Sequence, residues 1–271
     1  MTDLDALADL ADLAGRAARA GGAELLARFR GPAAGVATKS SPTDLVSAAD
    51  HAAEAAIVSL LRAERPRDGI VAEEGAEAEG DSGLRWLVDP LDGTTNYLWG
   101  IPQWCVSIAV NDASGGLAAV VHDPLRDETF RASRGRGAWL GTTRLGVRGE
   151  TPLAEALVGT GFNYAREERA RQASRLATLL PAVRDLRRFG AAALDLAWVA
   201  AGRIDAYFES GLAPWDWAAG ALLVDEAGGV VRELPGEDGG RPVIHAGPEA
   251  LVAGIIELVG PAHVAPGPDA R

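Results

Sequence analysis

The segment Trp86-Leu87-Val88-Asp89-Pro90-Leu91-Asp92-Gly93-Thr94-Thr95-Asn96 constrains the fold of this chain more than any other. A short apolar run stops at two aspartates three positions apart, and a glycine and two threonines follow at once. The run reads as a buried strand, and Gly93-Thr94-Thr95 as a tight turn that opens a helix. Carboxylates at a strand end suit hard cations, which take oxygen ligands. Amides at a helix start suit an anion. Taken alone, a D-P-x-D-G turn favours a simpler reading, a solvated bend capped by its own aspartate.

Other acids shift that balance. Val71-Ala72-Glu73-Glu74 is a second apolar run ending in carboxylates, Trp215-Asp216-Trp217 puts an acid at another helix start, and Asp44 and Asp50 bracket a third. Each has a plainer role open to it. Asp216 complements a helix macrodipole in any case, and Glu73-Glu74 alone reads as the start of a solvated loop. Together, in a chain without a His/Cys cluster at metal-binding spacing, they point to an oxygen-ligand site for Mg2+ or Mn2+.

The rest of the chain supplies a frame of helices and strands. Apolar positions at helical spacing over 3–29 predict one or two helices, broken near Gly21-Gly22 and ended by Gly31-Pro32. Val36–Asp44 reads as an extended or hairpin segment, and Ser47 as the N-cap of a helix over 48–64. Strands follow at Gly69–Ala72, Arg85–Val88, Cys105–Asn111, Leu117–His122 and Glu128–Ala132, with Glu77 to Gly83 as a loop and Gly115-Gly116 as a turn. These form an antiparallel meander. Beyond 150 the pattern alternates: strands at Ala156–Gly161, Arg184–Arg188, Ile204–Glu209, Val230–Leu234 and Pro242–His245, and helices at Arg166–Leu180, Ala191–Ala201, Pro214–Glu226 and Glu249–Val259. This is an α/β (α+β) layered sandwich, with helices between or beside two sheets. It is read as one domain over 1–260, with halves at about 1–150 and 151–260, and a frayed tail over 261–271.

Composition narrows the function. Acids outnumber bases 38 to 26, a net charge of −12, which argues against broad binding to nucleic acid or an anionic membrane. An anionic substrate on such a surface needs local neutralisation, and bound metal could supply it. The acidic N-terminus is unlike a signal peptide, and no apolar stretch reaches the roughly 20 residues that span a bilayer. The cytoplasm is the default location. Cys105 is the one cysteine; it reads as a small buried hydrophobe. Lys39 is the one lysine. The four histidines are scattered, and there is no G-x-S-x-G elbow, Walker loop or dinucleotide fingerprint.

At this point the residues resemble a known family. Asp89-Pro90-Leu91-Asp92-Gly93-Thr94-Thr95-Asn96 resembles the first signature of the inositol monophosphatases, and Trp215-Asp216-Trp217-Ala218-Ala219-Gly220, running on to Glu226-Ala227-Gly228-Gly229, their second. Lys39 to Val46, Asp50, and Val71 to Glu74 match other family segments, with Ala72 where the family has glycine. The resemblance implies a layered α-β-α-β-α sandwich of the sugar-phosphatase type and a Mg2+-dependent, lithium-sensitive phosphomonoesterase. Its substrate would be myo-inositol 1-phosphate or a similar polyol or sugar phosphate. Histidinol phosphate, fructose 1,6-bisphosphate, or a non-catalytic regulatory role are the alternatives. A homodimer is a further family expectation.

Carried over by position, Glu73, Asp89 and the Leu91 carbonyl would hold one Mg2+, and Asp89, Asp92 and Asp216 a second, with Glu73 assisting a looser third. Thr94, hydrogen-bonded to Asp50, would orient and deprotonate a water. Gly93 and Thr94 amides would hold the phosphate, Gly190, Ala191 and Ala192 the alcohol part, and Glu209 a ring hydroxyl, with Lys39 near the metals. Ala191 stands where relatives usually carry Ser or Thr, and Ala213 where many bacterial relatives carry lysine. Both departures lie on the alcohol side.

Overall fold

The computed structural model describes residues 3–30, 36–38, 45–236 and 240–260. Gly31-Pro32, expected to end the first helix, residues 39–44 of the expected extended segment with Lys39 and Asp44, and the 261–271 tail lie outside the described residues. The first elements are α1 (Asp3–Arg28), β1 (Ala37–Thr38), β2 (Leu45–Val46), α2 (Ala48–Glu64), β3 (Gly69–Ala72), β4 (Glu77–Ala78), β5 (Arg85–Asp92) and α3 (Thr94–Leu98). The meander continues through β6 (Cys105–Asp112), β7 (Gly115–Asp123), β8 (Glu128–Ser133), β9 (Ala138–Leu140) and β10 (Thr143–Arg144). The remainder is β11 (Leu157–Thr160), α4 (Arg166–Leu179), β12 (Asp185–Arg187), α5 (Ala192–Ala200), β13 (Ala206–Ser210), α6 (Pro214–Glu226), β14 (Val230–Leu234), β15 (Val243–Gly247) and α7 (Glu249–Val259).

Two sheets carry the fold. The larger has the order β10-β9-β8-β7-β6-β5-β3-β4, and the smaller β12-β11-β13-β15-β14. In the larger sheet β3 pairs with β5 in parallel and the other pairs are antiparallel, so the expected meander runs from β5 to β10. The smaller mixes parallel pairs at β11 with antiparallel pairs at β15.

The period-two alternation of strand side chains sorts the core into layers. Trp86, Val88, Val106, Ile108 and Val120 point to one face of the large sheet and pack on α1 and α2. Leu87, Cys105, Ala109 and Val121 point to the other face, onto α5 and α6. Those two helices also meet Tyr207, Ile244 and Ala246 of the small sheet. The far face of that sheet, through Ala206 and Phe208, packs on α4 and α7. The layer order is α-β-α-β-α, as the sequence led us to expect, and it leaves α5 and α6 sandwiched between the sheets.

Several details differ from the sequence reading. The first helix is not broken at Gly21-Gly22. A Cβ at Gly21 would stand 2.7 Å from Ile57 Cδ1, and one at Gly22 2.8 Å from Pro124 Cγ. These glycines let α1 lie close against its neighbours; they do not end it. Its C-terminal turn is held instead by side chains. Tyr97 donates a hydrogen bond to the Leu25 carbonyl at 2.8 Å, and Phe29, Tyr97 and Trp104 pack ring against ring at 5.2–5.3 Å. The strand expected to stop at Val88 runs on to Asp92, with an irregularity in its pairing with β6 between Asp89 and Asp92. The loop expected over Glu77 to Gly83 contributes the two-residue β4. The turn expected at Gly115-Gly116 lies just before it, and β7 begins at Gly115.

A candidate metal and phosphate site

A cavity of about 740 Å³ opens where several element ends meet. Its wall includes Glu73 after β3, Asp89, Leu91 and Asp92 at the end of β5, and Gly93 and Thr94 at the start of α3. Gly190 and Ala192 at the start of α5, Glu209 of β13 and Asp216 at the start of α6 complete that part of it.

Hydrogen bonds aim Asp89, Asp92 and Asp216 and fix the backbone of Glu73. Asp89 accepts the Leu91 amide at 2.9 Å, which turns the irregular strand end inward. Asp92 accepts the Ala192 amide at 3.1 Å, the Ala193 amide at 2.7 Å and the Cys105 thiol at 3.6 Å. The first amides of a helix have no partner within it. Ala191 at the N-cap of α5 has no side-chain oxygen to offer; Asp92 supplies one from another layer. Asp216 accepts the Ala213 amide at 2.7 Å, so the capping role and the site role coincide in one residue. Glu73 sits where its amide donates to the Val88 carbonyl at 3.0 Å. The loop beyond is fixed by Glu54, which accepts the Glu74 and Ala76 amides at 2.8 and 3.1 Å.

The electrostatics explain what the cavity wants. Burial, then the facing Glu73, Asp92 and Asp216, push the Asp89 carboxyl well above the usual carboxylate range. Asp89 and Glu73 share a hydrogen bond. Burial raises Asp92 to about 7 even against its amide donors. Burial and the charge of Glu73 raise Asp216 as well. Among the described residues no three such side chains close around a point as a ready-made cage, yet these four face one cavity and repel one another. A buried set of like charges is unfavourable unless something neutralises it. All the donors are oxygens and Asp92 holds the one thiol nearby, so the set fits a hard divalent cation.

Beside the acids lies a hydroxyl pair. Asp50 takes Ser47 N and Oγ at 2.9 and 2.6 Å in a capping box at the start of α2. It also accepts the Thr94 hydroxyl at 3.2 Å, whose alternative acceptor is the Leu91 carbonyl at 3.1 Å. Asp50 stands behind Thr94 and does not line the cavity. Gly93 adopts φ 95°, and a Cβ there would meet the Gln103 carbonyl at 2.9 Å, so only glycine makes this turn without strain. Glu209 accepts a hydrogen bond from the Tyr207 hydroxyl, and burial raises its carboxyl. Of the residues expected on the alcohol side, Gly190 and Ala192 line the cavity, while the Ala191 side chain is buried in the core. Lys39 lies outside the described residues.

Sequence reasoning missed four contributors. Glu54 occupies a core-facing position of α2, and a charge on that stripe was the available signal. Cys105 pairs in register with Asp92, which no local pattern discloses. Asn96 Nδ2 donates to the Gln103 and Phe189 carbonyls at 2.8 and 2.7 Å. It thereby ties α3 to the turn before α5. Arg188 folds into the cavity wall.

Two stacked sheets with a shared helical layer, and acids gathered at element ends around a hydroxyl pair, define a class that comparison identifies. Residues 6–262 match the model of the inositol monophosphatase family, and the chain belongs to that family. It is 44% identical over 225 residues to the Nus factor SuhB of Escherichia coli K12, covering 82% of this chain and 84% of that one. It is 42% identical over 224 residues to an inositol-1-monophosphatase of Rhizobium meliloti, covering 80% and 84%. The extragenic suppressor protein suhB of Bartonella henselae superposes with a TM-score of 0.84 at 38% identity, covering 92% of this chain and 97% of that structure.

Proposed function

We propose that this protein is a Mg2+-dependent phosphomonoesterase acting on myo-inositol 1-phosphate or a similar polyol or sugar phosphate. The observation that carries the reading is the meeting of Glu73, Asp89, Asp92 and Asp216 in one cavity beside the Thr94–Asp50 hydrogen bond. Glu73, Asp89 and the Leu91 carbonyl would hold one cation, and Asp89, Asp92 and Asp216 another, with Glu73 lending an oxygen to a looser third. Bound Mg2+, or Mn2+, would lower the pKa of a water and offset the charge of the phosphoryl oxygens.

The chain's own groups do the positioning. When the Thr94 hydroxyl donates to Asp50, its lone pairs face the cavity as acceptors for a water proton. Asp50, held by Ser47, can take the proton that passes through Thr94. Water oxygen then bonds to phosphorus, the bond from phosphorus to the alcohol oxygen breaks, and that oxygen takes a proton from solvent. Gly93 and Thr94 amides would hold the phosphate, while Gly190, Ala192 and Glu209 would hold the alcohol, with Ala191 contributing through its backbone alone. No side chain needs to become phosphorylated.

The test is phosphate release from inositol 1-phosphate, histidinol phosphate and fructose 1,6-bisphosphate, with and without Mg2+. Turnover that vanishes with EDTA and falls in millimolar LiCl is expected. The same preparation should sediment as a homodimer. A second reading, a non-catalytic regulatory role, draws on the relative named as a Nus factor. Absence of turnover on every substrate with Mg2+ present would favour it. Among the described residues no helix is long and apolar enough to cross a membrane.

A further inference from the structure

The cavity also holds positive charge. Besides the acids its wall carries Arg188 and Arg241, in a chain whose net charge is −12. Burial raises the Glu209 and Asp195 carboxyls, and the charge of Arg188 reaches both and lowers them. Arg188 follows β12 and folds back over the turn that leads to α5, so that a Cβ on Gly190 would collide with its Nη1. Its guanidinium lies 6.0 Å from the centre of the Phe162 ring. Among the described residues it makes no hydrogen bond and no ion pair. Arg126, Arg134 and Arg203 differ, each being tied to a carboxylate. Among the described residues Arg241, just before β15, makes one long bond, of 3.4 Å, to the Gly211 carbonyl. Each guanidinium has five donors in a planar fork. Two such forks left largely unused on the wall of a cavity match a carboxylate or a phosphate better than a neutral hydroxyl. The volume, about 740 Å³, lies in the range that admits a ligand larger than one ring and one phosphate.

We infer that the alcohol half of the substrate carries an anionic group of its own, a phosphate or a carboxylate, which docks on Arg188 and Arg241. This rests on the phosphatase reading of the same cavity. The metal-site carboxylates serve the phosphate that is cleaved, and the two arginines take the anion that stays. The guanidinium groups bind the anion equally before and during bond cleavage, so their contribution falls on KM and leaves kcat alone.

Three sugar phosphates of one ring shape test this: glucose 1-phosphate, glucuronic acid 1-phosphate and glucose 1,6-bisphosphate. The neutral alcohol, the carboxylate and the phosphate at the far end are the only difference between them. Release at carbon 1 is followed by NMR of the sugar product with Mg2+ present. For the wild type, KM is expected about tenfold lower for one or both of the doubly charged substrates, and the better of the two identifies the group. Arg188→Gln and Arg241→Gln are expected to erase that advantage, raising KM for the doubly charged substrates about tenfold more than for glucose 1-phosphate. Equal KM values across the three substrates in the wild type overturn the inference. So does an Arg188→Gln or Arg241→Gln loss shared equally by all three, because the arginine then serves the common part. If none of the three releases phosphate, and inositol 1-phosphate does not either, the phosphatase reading fails and takes this inference with it.

Discussion

Replacing Asp89 with asparagine is expected to make the metal-free protein more stable while abolishing its response to Mg2+. Asp89 is 2% exposed and faces Glu73, Asp92 and Asp216. Like charges about 5 Å apart cost ~3 kcal/mol at an effective dielectric of 20. Proton uptake in the metal-free site relieves much of this, so the gain from neutralising one member is ~1–2 kcal/mol, or a rise of roughly 2–8 °C in Tm for a chain of this length. Asparagine suits the local bonds. Its oxygen can still accept the Leu91 amide, and its NH2 can donate to Glu73. Cation binding acts the other way on the wild type, adding ~2.7 kcal/mol per site at a hundredfold excess over Kd. Scanning calorimetry at pH 8 in EDTA and in MgCl2 reads both effects. The variant should melt above the wild type in EDTA and below it in Mg2+. An Asp89→Asn protein that melts lower in EDTA, or that keeps the full Mg2+ shift, would refute the claim that these carboxylates are held together for a cation.

Other outcomes follow from single contacts. Asp92→Asn should cut phosphate release by about a thousandfold or more with the fold retained in far-UV circular dichroism, since Asp92 is one of the three carboxylates proposed to hold the second cation. Thr94→Ala should lower kcat by ~10²–10⁴ while calorimetric Mn2+ affinity stays at the wild-type value. Gly21→Ala should destabilise by ~1–3 kcal/mol in urea unfolding, because the clash with Ile57 outweighs the ~1 kcal/mol gain in helix propensity. His245 is buried with both ring nitrogens unpartnered, and burial lowers it to about 4 from 6.5. The unfolded chain binds its proton first, so this group's contribution is complete above pH 6.5 and is lost as pH falls toward 4, by up to ~3 kcal/mol. The difference in stability between wild type and His245→Gln should therefore narrow over that window, and a constant difference would contradict it.

Much of the architecture was legible because strand alternation and helix punctuation are local. Trp86-Leu87-Val88 announces a strand buried on both faces, and Ser47 with Asp50 announces a helix start. The acid positions were legible for the same reason, since Glu73, Asp89 and Asp92 sit where apolar runs stop and Asp216 where a helix starts. What escaped is what depends on approach between distant segments. Gly21-Gly22 has the appearance of a breaker, and only the nearness of Ile57 and Pro124 shows why no side chain fits there. Cys105 belongs to the apolar run of β6, and its contact with Asp92 comes from strand register. Arg188 reads as one arginine among many until the turn at Gly190 folds it into a cavity. The cavity wall around Gly190 and Ala192 is least legible because such small residues contribute backbone, whose placement no side-chain pattern encodes.

The bond from Asp92 to the start of α5 also sets an order of events during synthesis. Asp92 leaves the ribosome 100 residues before the Ala192 amide that holds it, and Asp216 follows later still. At roughly 5–20 residues per second, that is a wait of about 5–20 seconds. During that interval the emerging first half carries Glu73, Asp89 and Asp92 without their fourth partner and without the helix that aims Asp92. On the phosphatase reading a nascent chain is thus chemically silent, and competence would arrive only when the middle helical layer docks.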